Sequence, residues 1–126
     1  MKLKAILIIY LTLLLLATVL PLNSAGEALN ENHVLTLRWD YLLHALVYAP
    51  LPVLLARQLK KLWPAVLIAL SLAAGFELLH ALLPYRGFNI NDLVANGAGV
   101  GIGYIIIAIL TGDKHNTTMK RMTTPT

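Results

Sequence analysis

Between Phe76 and Gly99 the chain places Glu77, His80, Arg86, Asp92 and Asn96 inside or beside long apolar runs. Carboxylate, imidazole, guanidinium and amide groups gathered together can move protons, grip an anion or hold a ligand by hydrogen bonds. Such groups are costly in apolar surroundings and mark either a structural pairing or a functional site. Glu77 is the most demanding of them. An unpaired carboxylate at membrane depth costs about 2.5–3.5 kcal/mol on the insertion scale, so Glu77 is expected to be neutral or paired. Arg86 is its nearest opposite charge in sequence, with His44 and His80 as the other candidates.

A second set lies upstream. Asp40, His44 and Tyr48 are spaced by four, so on a helix they share one face. Glu77 and His80 are spaced by three, and Asp92, Asn96 and Gly99 by four and three. Three helical faces therefore carry chemistry-bearing side chains, and the apolar segments that bear them must bring those faces together.

Four apolar segments are available. The first, Ala5–Leu22, follows Lys2 and Lys4. It is longer than the roughly 7–15 residues of a signal-peptide core and close to the 20 or so that span a bilayer. It is read as an uncleaved helix over about 4–22. Residues 23–38 are polar and are read as a loop, followed by Trp39 and Tyr41 in the position of an interfacial aromatic belt. A second helix over about 40–56 contains Pro50 and Pro52, with a kink expected near Pro50. A third, over about 64–83, has Pro64 in its first turn. A fourth, over about 92–110, takes Asn91 or Asp92 as its N-cap. Its Gly97, Gly99, Gly101 and Gly103 make two overlapping pairs of small residues at four-residue spacing, a pattern that lets helix backbones approach closely. The same pattern is compatible with a homo-oligomer. Residues 112–126 read as a polar, basic tail without regular structure.

The sequence thus predicts an all-α, integral membrane four-helix bundle in a single domain. Lys2 and Lys4, then Arg57, Lys60 and Lys61, then Lys114, Lys120 and Arg121 alternate with poorly basic connections. The positive-inside rule puts these segments, and both termini, in the cytoplasm. With about 1.5 Å of rise per residue, Asp40, His44, Tyr48, Glu77, His80, Arg86, Asp92 and Asn96 then fall within roughly the outer 12 Å of the membrane.

Composition agrees. Of 126 residues 58% are hydrophobic and 13% charged, against about 45–50% and 25% in soluble domains. The net charge of +4 sits in short topology-determining segments rather than on one basic face, so no nucleic-acid partner is expected. Without cysteine there is neither a disulfide nor a thiolate metal site. No nucleophile motif, phosphate loop or metalloprotease motif appears. Glu-x-x-His spacing binds metals in some helical bundles, but no metal and no other cofactor is expected here.

Each residue also has a plainer role. Asp40 and Asp92 suit a helix N-terminus through the dipole alone. His44 and Tyr48 can be packing residues with one hydrogen bond each. Asn96 can join helices, for about 1 kcal/mol, and Arg86 can contact lipid phosphates at the interface.

The motifs Asp40-x3-His44-x3-Tyr48, Phe76-Glu77-x2-His80-x3-Pro84-x-Arg86 and Asp92-x3-Asn96-x2-Gly99, in that order, resemble those of the VanZ-like family of small bacterial integral membrane proteins. The resemblance covers about residues 38–110. It implies a multi-pass protein of the bacterial inner membrane, in a family whose founding member is associated with resistance to teicoplanin and whose biochemical mechanism is not established. Two departures stand out. The family commonly has Lys after the first Asp, where this chain has Tyr41, and Gln three residues after the Glu, where it has His80. A role resting on that lysine or that amide is not carried over.

Three functions compete. In the first the cluster binds an envelope component, such as a lipid-linked cell-wall intermediate or an anionic headgroup, with Arg86 contacting phosphate or carboxylate. In the second it is purely structural. In the third it does acid/base chemistry through Glu77, His44 and Asp92. Binding ranks first and an enzyme last.

Overall fold

The computed structural model describes residues 2–20, 39–85 and 87–122, with side chains as far as residue 111. The 23–38 loop, apart from its flanking Trp39, lies outside these residues, as does Arg86. The described residues form five helices: α1 (Lys2–Val19), α2 (Trp39–Tyr48), α3 (Pro50–Leu59), α4 (Leu62–His80) and α5 (Ile90–Met122). They make four segments long and apolar enough to cross a membrane, Lys2–Val19, Trp39–Leu59, Leu62–His80 and Ile90–Thr111.

The two proline-flanked helices form one span. Pro50 and Pro52 have no N–H, so Leu46 O and Tyr48 O lose their intrahelical donors. The backbone nevertheless stays right-handed helical at Ala49 (φ −61°, ψ −38°), whose N–H reaches Ala45 O at 3.0 Å. The Tyr10 hydroxyl of α1 donates to Val47 O, between the two freed carbonyls. A neighbouring helix thus supports the backbone where proline weakens it, the condition under which membrane helices tolerate proline. The span ends at Lys60, which adopts a left-handed conformation (φ 55°) and returns its N–H to Ala56 O at 2.8 Å.

Polarity is inverted relative to a soluble bundle. Large apolar side chains such as Leu46, Leu82, Val94 and Ile109 are exposed, whereas Thr18, Glu77, His80 and Asn96 are buried. That distribution fits a surface solvated by lipid and an interior that satisfies polar groups. The core joins Leu14, Tyr48, Leu51, Leu55, Ala65, Val66, Ala69, Ala73 and Val100. On α4, Ala65, Ala69 and Ala73 recur every four residues with almost no exposure, and the next position on that stripe is Glu77. Small side chains let the neighbouring helices close in, so packing and hydrogen bonding hold a bundle that gains nothing from the hydrophobic effect against lipid.

The second and fourth spans approach each other closely. A Cβ at Gly99 would collide with the Ala45 backbone, whose Cα and carbonyl carbon lie 2.9 Å from that position. One at Gly103 would meet Pro52 Cγ at 2.5 Å and the Ala49 carbonyl. Gly97 and Gly101 have nothing within 4 Å of such an atom. Of the two glycine pairs expected to pack, one therefore faces the second span and the other faces away from the bundle. Trp63, at the start of α4, stacks obliquely on Tyr104 of α5 with ring centroids 5.9 Å apart.

Several boundaries differ from those read in the sequence: α1 stops at Val19 rather than near 22, and the second span runs on to Leu59 rather than 56. The third span stops at His80, and residues 81–85 form turns. The helix expected to end near Leu110 continues to Met122. Residues 112–118 include weak helix formers, Gly112, Asp113, Asn116, Thr117 and Thr118, but no proline stands before Pro125, so no residue there forces a stop.

Candidate functional site

The start of α5 organises the site. Asn89 is its N-cap: Oδ1 accepts the Asn91 N–H at 3.0 Å, and the Asn89 carbonyl accepts the Leu93 N–H at 3.1 Å. This corrects the expectation of Asn91 or Asp92. All three have cap-competent side chains, and the choice is made by a tertiary contact, because the Asn89 N–H donates to Glu77 Oε1 of α4 at 2.9 Å. In an ordinary capping box that N–H is taken by a carboxylate three residues into the same helix. Here that position is Asp92, and a carboxylate from another helix substitutes for it.

Glu77 is fully buried, with 0% exposure. Its Oε1 accepts the Asn89 N–H at the positive end of α5, and His80 Nδ1 lies 3.3 Å from Oε2. That approach lacks hydrogen-bond alignment, so Oε2 takes part in an electrostatic contact only. The expected partner Arg86 lies outside the described residues.

The second half of the site joins the second and fourth spans. His44 Nδ1 donates to Asn96 Oδ1 at 2.8 Å, and Nε2 lies 3.9 Å from Asp92 Oδ2. These contacts sit one turn from the meeting of Gly99 with Ala45, so the glycine sets the distance they need. Burial is graded across the pair: Asn96 is 1% exposed, while the His44 and Asp92 side chains are 24% and 16% exposed. Asp40, in the first turn of α2, accepts the Tyr41 N–H at 3.0 Å. Tyr48 is buried in the apolar core beside Leu51 and Leu55.

Two contributors were not visible as chemistry. Asn89 acts through its backbone N–H, which no residue pattern reports, although its place before a cap-rich run was a cue. Tyr85, in the turn after α4, donates its hydroxyl to Val19 O, fastening the end of α1 to the same end of the bundle. Among the described residues no three His, Asp or Glu side chains converge as a metal-ligand set.

A family model described as VanZ/LLP1 matches residues 7–111. The chain belongs to the VanZ/LLP1 family. Neither a curated protein nor a solved structure matches it. The VanZ/LLP1 match reaches back through α1, beyond the region from 38 that carries the motifs, and stops where the fourth span ends at Thr111. The four apolar spans fit a VanZ-like membrane protein, and the helical extension beyond Thr111 lies outside the family match.

Proposed function

We propose that the chain is a multi-pass protein of the bacterial cell membrane whose polar end faces outward and binds an envelope component, such as a lipid-linked cell-wall intermediate. The observation that carries this reading is the gradient of burial. Glu77 and Asn96 are sealed and hold the helices in register, while His44 and Asp92 are partly open at the rim. A cluster serving packing alone has no need of an accessible rim. Orientation is supported by Lys2 and Lys4, Arg57, Lys60 and Lys61, and the basic residues after Thr111, all at the opposite end from the site. An effect on teicoplanin susceptibility would follow indirectly, through an altered envelope surface.

The test is saturable binding of a lipid-linked peptidoglycan precursor to the purified chain in nanodiscs. His44→Ala and Asp92→Asn are expected to weaken it at least tenfold while leaving the protein folded. Unchanged binding in both variants would sink the proposal. In cells, the same variants are expected to shift teicoplanin susceptibility toward that of a deletion strain without lowering protein level.

A structural role is favoured for one member of the cluster. Glu77 takes the amide of the helix cap and has no exposed atom, so it is read as the element that fixes α5, not as a ligand contact.

A further inference from the structure

The end of the bundle opposite the Glu77 site carries a second concentration of charge. Arg57 lies in the last turn of α3, Lys60 closes that helix in the left-handed conformation, and Lys61 is the N-cap of α4. All three side chains are exposed, and no Asp or Glu occurs anywhere from Tyr41 to Phe76. Among the described residues no ion pair and no side-chain hydrogen bond engages them. Lys61 offers α4 no side-chain acceptor, so the N–H groups that begin that helix add to the same positive potential. Three neighbouring cations repel one another, and an anion shared between them relieves that repulsion.

The surroundings indicate what kind of anion fits. Trp63, two residues beyond Lys61, is exposed and leans on Tyr104 of the fourth span. Leu67, one turn further along the same face of α4, is exposed, as is Leu59 at the end of α3. Cations, then an amphipathic ring, then bare leucine is the order met on passing from headgroup to acyl chain in a bilayer. A free phosphate needs only the cations, and an acidic peptide has no use for the leucines. An anionic phospholipid uses all of them. Arginine grips two phosphate oxygens at once, and the lysines act as point charges beside it. We infer that Arg57, Lys60 and Lys61 form a binding site for the phosphate of an anionic glycerophospholipid, with Trp63 and Leu67 along its glycerol and acyl portions. The chemistry is the same whichever leaflet this end faces, and it involves no residue of the Glu77 site.

The test uses the full chain in nanodiscs of phosphatidylcholine with a minor fraction of phosphatidylglycerol, followed by native mass spectrometry of the lipids it retains. Phosphatidylglycerol is expected to be enriched on the wild-type chain over its share of the bilayer. A Lys or Arg beside an anionic surface contributes about fivefold to binding, so Lys60→Gly is expected to lower that enrichment about fivefold. The same variant relieves a φ of 55°, which separates loss of lipid from loss of structure. Arg57→Gln with Lys60→Gln and Lys61→Gln is expected to abolish the enrichment.

A matched pair of variants distinguishes a site from a diffuse field. Lys2→Gln with Lys4→Gln removes two exposed cations from the same end of the bundle and is expected to leave the enrichment in place. Lys60→Gln with Lys61→Gln removes the same charge and is expected to lose most of it. Equal losses from the two pairs would assign the effect to the overall charge of this end and overturn the site. Equal retention of phosphatidylglycerol and phosphatidylcholine by the wild-type chain overturns it as well. Displacement of the lipid by millimolar glycerol phosphate would assign the cations to a free anion and refute the lipid site.

Discussion

At the scale of single residues, Glu77 shows how a buried carboxylate can be useful without being reactive. It supplies an acceptor to an amide that would otherwise be an orphan at the start of a helix. Glu77→Gln keeps an acceptor for the Asn89 N–H and is expected to cost roughly 1 kcal/mol or less, whereas Glu77→Leu leaves that N–H unsatisfied and should cost about 1–3 kcal/mol. Thermal unfolding in a mild detergent compares them, and equal losses would mean that the charge, not the hydrogen bond, matters. Lys60 offers the opposite case. Its φ of 55° is costly for a side chain with a Cβ and free for glycine. Lys60→Gly is expected to stabilise the fold by roughly 1 kcal/mol, read as a raised unfolding temperature.

At the scale of elements, the two glycine pairs of α5 give an internal control. Gly99→Ala and Gly103→Ala place a methyl against the backbone at Ala45 and Ala49 and should force the spans apart. Gly97→Ala and Gly101→Ala meet open space and gain helix propensity, roughly 1 kcal/mol in a soluble helix. The expected readout is a fall in unfolding temperature for the first pair and none for the second; the reverse order would contradict the packing described. The spans themselves were legible because apolar runs, lysines and prolines punctuate the chain. The pairing of Gly97 with Gly101 was equally plausible in sequence, since spacing identifies a stripe but not the face it meets. The sequence does not single out Asn89 as the cap, because Asn91 and Asp92 stand beside it and a residue twelve positions upstream, Glu77, makes the choice. The contact between His44 and Asn96 was legible only as shared depth. Its distance depends on an approach that two glycines permit.

At the scale of the whole molecule, the chain contains no cysteine, so single introduced cysteines report position without a background. Phe88→Cys, exposed in the connection before α5, is expected to react with an impermeant maleimide in intact cells, and Lys60→Cys only after permeabilisation. The opposite pattern would invert the orientation and place the site in the cytoplasm. The approach of the second and fourth spans also has a consequence for biosynthesis. The ribosome delivers the Ala45–Ala49 ridge and His44 into the bilayer well before Gly99, Gly103 and Asn96 exist. Until the last span arrives, the imidazole has no amide to bond and the ridge has no glycine groove to enter. The site is therefore absent from every nascent intermediate that lacks α5 and forms only once that span is inserted, so a chain truncated before α5 would present the cell with an open bundle rather than a weakened receptor.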